Sequence, residues 1–201
     1  MTDRRATAAK PAPASTPQTG PIGSAHELPE GPLFVFGYGS LLWRPGFDYD
    51  WVCKTRIHGF HRALRVWSFH HRGTADQPGL VLGLDRGGSC QGCLFRVPAQ
   101  AKPAVAAYLW EREMVTSVYT PRLVRAHTQM GAYTALTFVL DREHEQYAGA
   151  LSTDEAVRHV VSAQVRSGPN PEYVRETWAK LNALDVSDSG LAAVVDALGQ
   201  W

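Results

Sequence analysis

Leu33-Phe34-Val35-Phe36-Gly37-Tyr38-Gly39-Ser40-Leu41-Leu42 is a short apolar run that ends in a glycine-hinged turn. Residues 33–36 are nearly continuously hydrophobic, which suits a buried strand better than one with a wet face. Gly37 and Gly39 are expected to let the backbone bend where a Cβ would obstruct it. Successive amide N–H groups of such a turn can converge on an anion, here a carboxylate or a developing oxyanion. A tight structural turn after a first strand is the competing reading. Three familiar motifs are excluded. Position 42 is Leu, so Gly-x-Gly-x-x-Gly and its dinucleotide site are absent. The phosphate-binding Gly-x-x-x-x-Gly-Lys-Ser/Thr pattern does not occur here, and Ser40 lacks the flanking pattern of the Gly-x-Ser-x-Gly nucleophile elbow.

Outward from this segment, strand-like runs follow at 56–60, 63–67, 80–84, 93–97, 123–126 and 133–140. Asp76-Gln77-Pro78-Gly79 and Asp85-Arg86-Gly87-Gly88 read as turns between them. Repeated short strands with few intervening helices predict a mixed or antiparallel sheet that curls toward a small barrel. Helices are expected near Ala101–Met114, after the capping box Ser152-Thr153-Asp154-Glu155, after Asn170-Pro171 as N-cap and first helical residue, and around Leu191–Leu198. The reading is one α+β domain over residues 30–201 with flanking helices.

The helix near 101–114 carries a polar anomaly. Val105, Tyr108 and Leu109 form an apolar stripe, and its continuation at i+7 and i+8 gives Arg112 and Glu113. Glu111 lies about 200° around the helix from Glu113 and should face solvent. Glu113 is therefore expected to point inward, where desolvation raises a carboxylate pKa toward the range of a general base. The alternative is a stripe that simply ends, leaving two surface charges.

The chain has 201 residues and a net charge of +1, so strong steering to nucleic acid or membrane is not expected. No apolar run approaches the roughly 20 residues that span a bilayer. Residues 1–29 are rich in Ala, Pro, Thr, Ser and Gly and are expected to form a disordered arm. They lack the apolar stretch of a secretory signal, which makes a cytoplasmic protein the default. Three cysteines are expected to stay reduced. Cys90-Gln91-Gly92-Cys93 has CxxC spacing but neither a helix N-terminus nor a second ligand pair, so it reads as incidental. His70-His71 points to opposite faces if extended, which disfavours a metal site.

Four segments taken together resemble a known family. FVFGYGSLLWRPGF (34–47), HHRGTADQPGLVLGL (70–84), YLWEREMV (108–115) and SGPNPEYV (167–174) are similar, in order and spacing, to the motifs of the ChaC-type γ-glutamylcyclotransferases. The resemblance implies a γ-glutamylcyclotransferase-like fold and cleavage of glutathione into 5-oxoproline and Cys-Gly. It implies that Glu113 is the catalytic acid/base and that the turn at Tyr38, Gly39, Ser40 and Leu41 binds the γ-glutamyl group. Arg72 and Tyr173 match motif positions near the substrate. The chemistry requires no metal, nucleotide or other cofactor, because the substrate's own amine attacks its own γ-carbonyl. Two further readings stay open: a cyclotransferase for other γ-glutamyl peptides or amines, and a non-catalytic regulatory binder on the same fold. A hydrolase using Ser40 as nucleophile would need a base and an orienting acid that the sequence does not identify.

Overall fold

A computed structural model describes residues 19–69, 72–74, 76–163 and 169–199. His70, His71, Ser167, Gly168 and the first 18 residues of the expected arm lie outside the described residues. The described residues form six strands and four α-helices: β1 (Gly20–Pro21), β2 (Leu33–Gly37), β3 (Trp51–Ser68), β4 (Gly79–Val97), α1 (Lys102–Glu113), β5 (Tyr119–Thr128), β6 (Gly131–Leu140), α2 (Thr153–Ser162), α3 (Asn170–Ala183) and α4 (Ser189–Leu198).

Strand order is β1-β5-β3-β4-β2-β6, and β6 also pairs with β5, which closes five strands into a barrel. The pairing of β2 with β6 is parallel, and most of the other ladders are antiparallel. Alternation along the strands sorts side chains into two cores. Phe34, Phe36, Ile57, Leu84, Leu94, Tyr133 and Ala135 fill the barrel interior. Leu33, Val35, Phe95, Leu136 and Phe138 face outward and meet Val105, Leu109, Val157, Val174 and Leu181 of the helices. Strand β2 is consequently buried on both faces, as its unbroken apolar run predicts.

The expected short strands at 56–60 and 63–67 are one long strand, and so are those at 80–84 and 93–97. Asp85-Arg86-Gly87-Gly88 is not a terminating turn. Gly59, Gly87 and Gly88 have φ of +85°, +98° and +69°, and the register between β3 and β4 shifts between His58 and Phe60. The glycines accommodate a bulge that bends a continuous hairpin around the barrel. The same local signal serves a turn or a bulge, and closure of the barrel decides between them.

The expected arm boundary at residue 29 also moves. Gly20–Pro21 pairs with β5, the Ile22 N–H donates to Pro121 O at 3.0 Å, and Ile22 and Leu28 are buried in the helix-side core. Two apolar residues in a polar stretch suffice once a strand edge offers ladder partners.

Helix starts follow local rules in one case and not in another. Ser152 and Glu155 form the expected capping box of α2. At α3, however, the N-cap position is Pro169, and Asn170 is already helical. The Asn170 side chain instead grips β4: its Oδ1 accepts from Leu80 N–H at 2.8 Å, and its Nδ2 donates to Leu80 O at 2.9 Å. With Asn170 fully buried, this amide stands in for a missing neighbouring strand. Among the described residues no helix is long and apolar enough to cross a membrane.

Asn170→Ala strands two buried backbone groups, and an unsatisfied buried group costs about 1–3 kcal/mol. The expected result in urea unfolding is a loss of about 2–4 kcal/mol, and an unchanged midpoint would show that the bonds contribute nothing net.

Candidate active site

Strand β2 leaves the sheet at Gly37, and Ser40–Leu42 forms a single 3₁₀ turn. The N–H groups of Ser40 and Leu41 open that turn and therefore have no acceptor within it. Neither hinge glycine has a positive φ; Gly39 lies at −119°. Their role is close approach. A Cβ on Gly37 would lie 3.0 Å from the Phe95 ring, and one on Gly39 would lie 3.3 Å from Tyr173 Oη. The expectation that a Cβ would obstruct the backbone at these positions holds.

The turn borders a cleft of about 590 Å³. Tyr38, Gly39, Ser40, Leu41, Arg72, Glu113 and Tyr173 all line it, so every expected site residue falls at one place. These residues come from four regions of the chain separated by at least 30 positions, which barrel closure and helix packing bring together.

Glu113 is the last residue of α1, and its side chain is 16% exposed. Glu111 is exposed at the rim, as the helical phase predicts. Burial raises the Glu113 pKa above the usual glutamate range, and the adjacent Arg112 guanidinium offsets part of that rise. The C-terminal end of a helix carries partial negative charge and opposes ionisation there as well.

Arg112 does more than pair with Glu113, although the sequence marks it only as the next residue on the stripe. Its Nε lies 3.1 Å from Glu113 Oε1. Its Nη2 donates to Ser40 Oγ at 2.9 Å, and its Nη1 donates to Arg44 O, Pro45 O and Tyr108 Oη at 2.9, 3.1 and 2.7 Å. One guanidinium thus ties the carboxylate to the turn it faces. The Ser40 hydroxyl is an acceptor in this clamp, and none of the described lining residues is a histidine, which argues against Ser40 as a nucleophile.

Three tyrosines surround the carboxylate electrostatically. Burial pushes Tyr173 up to about 12, with a further upward push from Glu113, and raises Tyr38 and Tyr119 well above their usual value. All three therefore remain protonated at neutral pH. Tyr38 donates to Phe138 O at 3.1 Å and Tyr119 donates to Leu82 O at 2.9 Å. Tyr173 accepts from Leu82 N–H at 3.2 Å, which leaves its own proton to be donated. Tyr119 has no local sequence signature; it lines the site because β5 starts four residues earlier than its apolar run suggests.

Arg72 stacks over the Tyr173 ring at 5.3 Å. Arg44 lines the cleft as well, and its charge helps depress the Arg72 pKa, after burial as the larger cause. The cleft is therefore lined by the guanidinium groups of Arg44, Arg72 and Arg112 together with the buried carboxylate of Glu113. The CxxC cysteines take no part. Cys90 faces the barrel interior and Cys93 the helix side, because positions three apart on a strand point to opposite faces.

A closed five-stranded barrel with a helix-borne carboxylate facing a strand-exit turn defines a small α+β enzyme-like domain. A family model described as ChaC-like protein matches residues 33–200, and the chain belongs to that family. A glutathione-specific γ-glutamylcyclotransferase of Escherichia coli K12 is 32% identical over 163 residues, covering 81% of this chain and 71% of the relative. The human glutathione-specific γ-glutamylcyclotransferase 1 is 30% identical over 174 residues, covering 83% and 78%. The crystal structure of a yeast γ-glutamyl cyclotransferase specific to glutathione superposes with a TM-score of 0.77 at 21% identity, covering 85% of this chain and 97% of that one, which establishes the shared fold.

The pKa of Glu113 sets a sign for stability. Its folded pKa lies above the unfolded one, so below about pH 4 both states are protonated and no penalty applies. As pH rises past that value the unfolded state ionises first, and the buried carboxylate costs stability. Glu113→Gln is expected to gain in melting temperature relative to wild type between pH 4 and 7. A difference independent of pH would show that Glu113 is not desolvated in solution.

Proposed function

We propose that the protein degrades glutathione by intramolecular cyclisation of its γ-glutamyl group, releasing 5-oxoproline and Cys-Gly. The observation that carries this reading is a desolvated Glu113 set across one cleft from the 38–41 turn and bound to it through Arg112. The names of the relatives and membership of the ChaC family support it.

The reaction follows from these groups. The substrate's α-amino group is mostly protonated at neutral pH and cannot attack. Glu113, whose pKa burial raises above the usual glutamate range, takes the amine proton. The amine nitrogen then forms a bond to the γ-carbonyl carbon and closes a five-membered ring. Both reacting groups belong to one molecule, so correct folding of the glutamyl chain supplies much of the rate. Amides of the turn at Tyr38, Gly39, Ser40 and Leu41 hold the glutamyl carboxylate or the tetrahedral oxyanion, where fixed donors act most strongly. The bond from that carbon to the cysteinyl nitrogen breaks as Glu113 returns its proton to the departing amine, and the ring nitrogen's second proton passes through the same carboxylate, so that Cys-Gly leaves as its ammonium form. No water adds, so the enzyme is a lyase.

Arg44 and Arg72 favour glutathione over neutral γ-glutamylamines. The Cys-Gly leaving group ends in a carboxylate, and the positive charge of two arginines in the cleft lining complements it. The buried carboxylate also argues against a purely regulatory binder, because a desolvated acid with a single arginine partner costs stability. Three free cysteines fit a reducing, cytoplasmic setting.

Incubation of the purified protein with glutathione is expected to yield equal amounts of 5-oxoproline and Cys-Gly. Glu113→Gln keeps the shape and removes the base, so turnover should fall at least about 10²-fold, the lower range for general-base loss. Glu111→Gln should retain wild-type turnover. Equal loss in both variants would sink the assignment of Glu113, and product from Glu113→Gln at the wild-type rate would sink the mechanism.

A further inference from the structure

Arg62 is a buried charge that the reaction itself does not use. It lies on β3, outside the residues that line the cleft, and its side chain is 3% exposed. Its guanidinium spends all three nitrogens on fixed partners. The Nε donates to Tyr38 O at 2.6 Å, Nη2 donates to Gln91 O at 2.5 Å, and Nη1 meets Asp188 Oδ2 at 2.6 Å. Asp188 in turn caps α4 through Oδ1, which accepts from Leu191 N–H at 3.1 Å. Burying an arginine in this way is costly unless every donor is matched, and here each nitrogen has an acceptor.

The first of these bonds bears on the site. Tyr38 O belongs to the same planar peptide as Gly39 N–H. In a trans peptide the carbonyl and the N–H point in opposite directions. A carbonyl drawn toward Arg62, behind the cleft wall, turns the Gly39 N–H toward the cleft that Gly39 lines. Free rotation of this peptide would otherwise be easy, because Gly39 has no Cβ to restrict it. The neighbouring anchors do not fix it: Tyr38 Oη is bonded to Phe138 O and Ser40 Oγ to Arg112, and both leave the intervening peptide plane undetermined.

We propose that Arg62 is a positioning residue, which holds the Tyr38–Gly39 peptide plane so that the Gly39 amide presents its N–H to the γ-glutamyl group. Its catalytic consequence rests on the function proposed above; its effect on the peptide does not. A charge-assisted bond to a peptide oxygen is directional and strong enough to select one orientation of that plane. Lysine is a poor substitute, since one ammonium cannot match the planar fork that serves three acceptors in fixed directions.

The test uses the full chain labelled with ¹⁵N. Arg62→Met combined with Asp188→Asn removes the guanidinium without leaving a lone buried carboxylate, and Asn preserves the cap of α4. Two quantities are read: the chemical shift and order parameter of the Gly39 amide without substrate, and kcat and KM with glutathione. The expected result is a shifted, less ordered Gly39 amide and a fall of about 10- to 100-fold in kcat/KM, the scale of a misplaced reacting or binding group. Arg62→Lys should show the same changes to a smaller degree, and it decides the matter if the double variant does not fold. A merely structural arginine would lower the melting temperature and leave the Gly39 amide as in wild type. An unmoved Gly39 amide, or kcat/KM within twofold of wild type, overturns the proposal. Failure of the wild-type protein to turn over glutathione would instead refute the proposed function, while the Gly39 amide still reports whether Arg62 holds the peptide.

Discussion

Strand β2 is buried on both faces, and the chain must leave it through a turn that is buried as well. Most of the site follows from that constraint. Backbone polar groups that cannot reach water need partners inside the protein. The exit of β2 finds them in side chains from distant parts of the chain: Arg62 for the Tyr38 carbonyl, and Arg112 for Ser40 Oγ and for the carbonyls of Arg44 and Pro45. Trp43 adds a tie from its indole N–H to Thr177 Oγ1 at 3.1 Å, which fastens the end of the turn to α3. Within the turn itself, the N–H groups of Ser40 and Leu41 have no acceptor.

Two buried carboxylates show how partner number decides charge. Asp85 is fully buried, yet it accepts from Arg65, Arg142 at 2.5 Å, Tyr147 at 2.9 Å and the Arg86 amide at 2.7 Å. Those bonds outweigh desolvation and hold it well below the usual carboxylate range. Glu113 is similarly shielded but has one arginine, and that arginine divides its donors among four other acceptors. Desolvation wins and the pKa rises. Asp85 is thereby held in its charged form, whereas burial favours the neutral form of Glu113.

The sequence carried local periodicities well. The phase of α1 placed Glu113 inward and Glu111 outward, and the apolar run at 33–36 marked the strand buried on both faces. Four dispersed motifs identified the family and converged on one cleft, because motif order is preserved when a fold is preserved. Local signals failed where tertiary closure reassigned them. The glycines at 87 and 88 made a bulge instead of a turn, Asn170 bonded to a strand instead of capping its helix, and the segment around Ile22 joined a sheet edge.

The residue types, the helical phase and the strand–turn boundary are properties of neighbours along the chain, and the sequence by itself determined them. Tertiary structure alone selected Arg62, Tyr119, Asn170 and the carbonyl partners of Arg112. Each acts across at least 24 residues of intervening chain, a separation that leaves no periodic trace. Their specificity lies in where a closed barrel brings a donor to an acceptor, which no local pattern encodes.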